Sequence, residues 1–158
     1  MTYILNAICV DQSLPLDIRS GAVVAELDEP ATAEIEIAGW AVGGIRYLLV
    51  VDDGSGYRSS QGFAQVPQHA EQPTILRIPA EWRADVRTVL DELLAASPVR
   101  SLAIYLEANR ALSRPDVEET YPVRPERRTF STLDGFWTAE QSGEIEEECV
   151  AVISLGAE

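Results

Sequence analysis

The sequence predicts an α+β domain in which a mainly antiparallel sheet of about six to seven strands is covered on one face by one long and one short helix. Segments typical of strands cluster early and those typical of helices come late, an order that favours this class. Neither a repeat nor a low-complexity linker divides the 158 residues, a length that suits a single core. We therefore expect one acidic α+β domain over residues 1–158.

The first half of the chain predicts mainly strands. Apolar and alternating runs indicate strands over residues 2–10, 21–29, 32–38 and 45–52. The second and third of these are joined at Glu29-Pro30, and the last, the most hydrophobic, is expected in the centre of the sheet. Residues 11–20 predict a loop, and Trp40 with its neighbouring glycines predicts a connection.

A turn and the long helix follow. The stretch Asp53-Gly54-Ser55-Gly56 is a strong turn signal, and a weak hairpin partner is expected over Tyr57 to Phe63. Residues 74–78 predict a short strand. Apolar residues at helical spacing predict a helix over 80–96, with Pro79 at its start. On its polar face, Arg87 and Asp91 are four residues apart and are expected to pair.

The second half predicts a strand over residues 99–106 and an irregular segment over 107–129 that holds five of the twelve arginines. A short helix is expected to begin after an N-cap at Thr132 and to end at Gly143. A closing strand is expected over 149–153. Because Phe136 and Trp137 are adjacent, we expect one to pack inward and the other to reach the rim, unless the helix lies in a groove that buries both.

The net charge of the chain restricts the kinds of molecule that it is expected to bind. Twelve basic residues, all arginine, stand against 26 acidic ones, for a net charge of −14. Such a charge disfavours nucleic acid and anionic membranes, and it permits a basic protein partner. No run approaches the length of a membrane span, and the N-terminus lacks the pattern of a signal peptide, so the sequence predicts a cytoplasmic protein. Cys9 and Cys149 lie in apolar runs and are expected to be buried thiols, with a disulfide between them left open.

The sequence contains few residues of the types that form catalytic or metal-binding sites. His69 is the single histidine, and no zinc motif, phosphate-binding loop or nucleophile elbow occurs. Asp52 and Asp53 end a strand where adjacent carboxylates could hold a cation, but the following Gly-Ser-Gly indicates a turn. We therefore predict no catalytic residues, no metal site and no cofactor.

The last stretch, residues 130–158, carries seven carboxylates and no basic residue. Exposed aromatic residues beside carboxylates are good anchors for a protein interface. We predict that a partner binds at Trp137, Glu140, Glu144, Glu146, Glu147 and Glu148, with Asp52 and Asp53 as second choices.

This C-terminal arrangement resembles the end of some small bacterial immunity proteins, which neutralise toxin domains delivered in bacterial competition. The resemblance covers about thirty residues: Phe136-Trp137, Gly143 after a short helix, and an acidic step into the strand from Cys149 to Leu155. It implies direct binding to a cognate toxin domain, often with the toxin's active site blocked.

Two alternatives stay open. A nucleic-acid-mimicking inhibitor requires carboxylates spaced like phosphates along an extended double row. A small carboxylate-dependent enzyme requires a deep pocket that holds at least two of Asp52, Asp53, Glu107 and Asp116, with one pKa raised.

Overall fold

The computed structural model describes residues 2–9, 17–37, 40–56, 58–68, 72–97, 100–109, 126–147 and 149–155. Within these ranges the chain forms two α-helices and ten strands. In chain order they are β1 (Thr2–Cys9), β2 (Ile18–Ser20), β3 (Val23–Ile37), β4 (Trp40–Asp52), β5 (Arg58–Ser59), β6 (Ala64–Gln65), β7 (Ile75–Leu76), α1 (Ala80–Ala96), β8 (Ser101–Asn109), β9 (Glu126–Phe130), α2 (Leu133–Gln141) and β10 (Cys149–Ser154).

Eight of the described strands form the main sheet, in the order β2-β3-β4-β1-β8-β10-β9, with β5 paired to β4. Every pairing in it is antiparallel except that of β9 with β10. The predicted α+β class and mainly antiparallel sheet are therefore confirmed. β4 lies inside the sheet, between β3 and β1, as its hydrophobicity predicts.

Both helices cover the same face of the main sheet. Alternate positions of β8 and β10, among them Leu102, Ile104, Ala151 and Ile153, share one core cluster with the buried residues of α1 and α2. This alternation follows from the two-residue period of a strand. The intervening positions, such as Ala103, Tyr105, Val150 and Val152, are also buried but lie outside that cluster.

The long helix α1 agrees closely with its prediction. Pro79 is its N-cap in extended conformation, and the helix spans Ala80–Ala96. Val86, Val89 and Leu90 are among its buried residues, as are Leu93 and Leu94, which gives the apolar stripe expected of a surface helix. Arg87 does not pair with Asp91 as predicted. It binds Asp134 at the start of α2 instead, because α2 packs beside α1.

Four strand predictions were wrong. The two strands expected on either side of Glu29-Pro30 are one long strand, β3, whose register shifts between Leu27 and Thr32. Proline has no N–H to donate, so the ladder is interrupted there without ending the strand. The glycines at 43 and 44 lie inside β4, not in a connection, because β3 provides ladder partners for both.

The third error concerns β9, most of which lies in the segment 107–129 that was predicted to be irregular. β9, α2 and β10 form a β-α-β unit in which the two strands are adjacent and parallel. The short β2 was likewise missed, since it falls in a predicted loop. No helix among the described residues is long and apolar enough to cross a membrane.

Candidate functional site

The acidic stretch after α2 forms an isolated antiparallel β-bridge with β7, between Glu146 and Ile75. The N–H of Leu76 donates to the carbonyl of Ile145 at 2.8 Å, and the N–H of Glu147 donates to the carbonyl of Thr74 at 2.8 Å. β6 and β7 form a second, two-stranded sheet, and the bridge attaches residues 145–147 to the β7 side of it. We call this sheet with its attached segment the small sheet: residues 64–65, 75–76 and 145–147. Its core-facing residues Leu76 and Ile145 belong to the cluster that holds both helices.

The carboxylates around this segment divide into inward and outward ones. Ile145 and Glu147 are buried, whereas Glu144 and Glu146 are exposed. The two-residue period of an extended chain accounts for the division. The predicted continuous acidic rim is therefore interrupted at every second residue, and Glu148 lies outside the described residues.

Glu140, near the end of α2, is fully buried. Its carboxylate accepts hydrogen bonds from the N–H of Ile78 at 2.7 Å and from the Arg83 guanidinium at 2.6 and 3.2 Å. Arg83 also donates to the carbonyl of Ile78 at 3.1 Å. Burying a carboxylate is costly unless it is paired and hydrogen-bonded, and here every partner is another part of the chain. Glu140 therefore connects α2 to α1.

Glu147 likewise connects two segments of the chain, at the small sheet. Only 3% of its surface is accessible, and its Oε1 accepts from the N–H of Thr74 at 3.1 Å. The backbone N–H of Glu147 also donates to the carbonyl of Thr74. This glutamate therefore holds the segment before β7 against residues 145–147.

Trp137 is a core residue. Only 5% of its surface is accessible, and the Arg83 guanidinium lies 5.1 Å from the centre of its ring. Phe136 is also buried, with its ring centroid 5.5 Å from that of Trp137. Both can pack inward because α2 has the sheet on one side and Arg83 of α1 on the other. The expectation that one aromatic reaches the rim was wrong, and the groove alternative holds.

The predicted partner-binding set therefore needs correction at three residues. Trp137, Glu140 and Glu147 are interior, so none of them offers a surface to a partner. The exposed members are Glu144, which lies 3.5 Å from Arg128, and Glu146.

The second-choice residues Asp52 and Asp53 form a separate, local turn. Asp52 Oδ1 accepts from the N–H of Gly54 at 3.2 Å, and Asp53 Oδ1 accepts from the N–H of Ser55 at 3.0 Å. Asp52 also binds Arg19 at 3.1 Å and lies 3.6 Å from Arg58 Nε. Among the described residues, neither aspartate shares a hydrogen-bond or ion-pair partner with Glu144 or Glu146.

The electrostatics of this turn differ from those of an acid–base pair. The side-chain hydrogen bond from Arg19, followed by the N–H of Gly54, holds the pKa of Asp52 below its ordinary value. Hydrogen bonds from the side chain and N–H of Ser55 lower the pKa of Asp53. The enzyme alternative expected one raised pKa, whereas the pKa of both described aspartates is lowered. Asp116 and the side chain of Glu107 lie outside the described residues.

Further exposed carboxylates, which were not among the predicted partner-binding residues, lie on α1. Glu81, Asp91 and Glu92 project from α1 and make no ion pair among the described residues. The last turn of α1 carries no basic residue, although a helix C-terminus favours positive charge. The sequence pattern could have identified these acids as exposed, because they lie on the helix face opposite the regularly spaced apolar residues.

We call the exposed acids of α1, α2 and the segment 144–147 the helix-side acidic surface: Glu81, Asp91, Glu92, Asp134, Glu144 and Glu146. The exposed arginines on these elements and on the connection between β7 and α1 are Arg77 and Arg87. Arg87 binds Asp134, and Arg77 donates to the carbonyl of Gln141 at 2.7 Å. The surface charge in this layer is therefore mostly negative, and four of its six carboxylates make no ion pair within the described part of the chain.

The backbones of the two cysteines lie too far apart for a disulfide. Cys149 is a free, buried thiol, and burial raises its pKa to about 11. Cys9 pairs with Leu102, whereas Cys149 lies two strands away, next to Val150, which pairs with Tyr105. This register separates the two backbones by about 17 Å, beyond the reach of a disulfide. Among the described residues no group of three potential ligands is arranged to hold a metal ion, and His69 lies outside them.

Comparisons with protein-family models, with curated proteins and with solved structures find no match to this chain.

Proposed function

We propose that this chain is an immunity-type protein that binds a cognate bacterial toxin domain and neutralises it by occlusion. The carrying observation is the helix-side acidic surface, where six exposed carboxylates stand against two exposed arginines. Asp134 and Glu144 pair with arginines of the chain, but the other four make no ion pair among the described residues and remain available to basic groups of another protein. The charge of −14 extends this attraction over the whole molecule.

The physical role of the acidic surface is to speed the encounter with a basic domain. Complementary charge raises association rates by steering diffusion, while buried contacts at the centre of the interface set the lifetime of the complex. A stable complex of this kind buries about 800 Å² on each partner. The outward faces of α1, α2 and the small sheet, taken together, would contribute to such an area.

The proposal agrees with the resemblance of the C-terminal stretch to immunity proteins, and it assigns the chain to the cytoplasm, where a toxin-producing cell needs protection. It also agrees with the chemistry of Asp52 and Asp53, whose lowered pKa values suit ionised turn residues.

The nucleic-acid-mimic alternative fits the geometry less well. Phosphates in a duplex form two continuous rows, whereas Arg87 interrupts the acidic face of α1 between Glu81 and Asp91. Arg77 lies in the same layer, close to the end of α2. A positive group within each row would repel the basic groove that a mimic must fill.

Growth protection tests the proposal. The chain is co-expressed with the toxin domain encoded in its own genetic locus, and with an unrelated toxin domain as the control. We expect growth to be restored against the first alone. The purified chain should form a stoichiometric complex with both the active domain and a catalytically inactive variant of it. Protection at far below equal amounts would indicate an enzyme, and absence of both protection and complex would refute the proposal.

A further inference from the structure

The outer face of the small sheet places carboxylates beside partly exposed aliphatic side chains. Gln65 pairs with Ile75, and Ile75 forms a bridge with Glu146, so the three lie side by side across the sheet. Gln65 and Glu146 are exposed and Ile75 is half-buried. Glu144, two residues before Glu146, is also exposed, as the alternation of an extended segment requires.

An exposed apolar residue borders this face. Val66 directly follows β6 and has 60% of its surface accessible, and among the described residues it is the one exposed large hydrophobic side chain. Its position matters because protein interfaces combine an apolar centre with a polar or charged rim. The acids of α1 have no comparable neighbour, since the other exposed side chains on that helix are alanines, Arg87 and Thr88.

We infer that the outer face of the small sheet, with Val66 at its border, is the docking surface for a basic, partly apolar loop of the toxin domain. The inference rests on the proposed function and assigns its contact region. Charge complementarity supports this occupant: Glu146 makes no ion pair among the described residues, and Glu144 has only the 3.5 Å contact with Arg128. Ile75 and Val66 supply the apolar part, and the acids of α1 then act at longer range.

Two matched variants separate local contact from overall charge. Glu146→Lys and Glu92→Lys each remove one exposed carboxylate without an ion pair and add one positive charge, the first on the small sheet and the second on α1. A third variant, Val66→Ser, removes the exposed apolar group. The probe is the isolated toxin domain against which the wild-type chain protects growth, and association and dissociation rates are measured at low salt.

We expect Glu146→Lys to slow association about tenfold and Glu92→Lys only about twofold, because the second changes the field and not the contact. Val66→Ser should speed dissociation about tenfold with association unchanged. Equal effects of the two lysine variants, or wild-type dissociation of Val66→Ser, would overturn the inference and leave the proposed function standing. A wild-type chain that neither protects nor binds would refute both.

Discussion

Two acidic regions of this chain use their carboxylates in opposite ways. Glu140 and Glu147 are buried and bind partners 57 to 73 residues away in sequence. Asp52 and Asp53 lie in a turn where each accepts from an N–H two residues on. The first pair therefore stabilises tertiary structure, and the second shapes a local turn, with one exposed longer-range bond from Arg19 to Asp52. The difference teaches that a run of acids in a sequence does not by itself define an acidic surface.

The largest expected effect comes from Glu140. Replacing Glu140 with Ala leaves the guanidinium of Arg83 and the N–H of Ile78 without this acceptor. We expect the free energy of unfolding to fall by about 3 kcal/mol, as for other broken buried ion pairs. Urea denaturation measures the change, with Glu92→Ala as the exposed control on α1. Equal stability of the two variants would mean that Glu140 does not connect the helices.

A smaller loss is expected at the small sheet. Glu147→Ala removes the acceptor that Thr74 N–H uses at 3.1 Å, in a position with 3% exposure. The cost of losing one such buried hydrogen bond is about 1–2 kcal/mol. The matched variant Glu146→Ala, one residue earlier and exposed, should leave the unfolding midpoint in urea unchanged. A loss at Glu146 as large as that at Glu147 would contradict the inward and outward assignment.

The smallest effect is expected at the turn and appears only in acid. Folding lowers the pKa of Asp52 below its ordinary value of 3.8, mainly through the hydrogen bond from Arg19. A group whose pKa is lowered on folding adds stability above its unfolded pKa, and this stability is lost as the pH falls through the folded value. Asp52→Asn should therefore lose less stability than the wild type when the pH falls below about 4. Thermal unfolding of both proteins across this pH range measures the difference. If the melting temperatures of the two fall in parallel, Asp52 does not contribute this acid-sensitive stability.

Local signals in the sequence predicted the helices well. The apolar spacing defined α1 over its whole length, and the N-cap at Thr132 accepts from the N–H of Gly135 at 3.0 Å as expected. Gly143 has the positive φ of 70° that a helix-ending glycine adopts. These features depend on neighbours within a few residues, so the sequence contains the information needed to predict them.

The candidate site depended on longer-range information. Whether Glu140 faces inward is decided by Arg83 and Ile78, and neither can be assigned to it from spacing alone. β9 was missed because its sequence, ERRTF, is mostly polar and its pairing with β10 comes from the β-α-β connection. The acidic stretch after α2 forms a single bridge with Ile75, a contact between residues 71 positions apart that local spacing does not predict. The sequence therefore predicted the elements better than it predicted which acids remain at the surface.

The most direct test of the account is the salt dependence of association between the wild-type chain and the toxin domain that it neutralises. If exposed, unpaired carboxylates steer the encounter, the association rate constant should fall at least about tenfold between low and high salt, since ions screen charges over about 10 Å at 0.1 M. The dissociation rate should change far less. An association rate independent of salt would contradict the claim that the helix-side acidic surface recognises a basic partner.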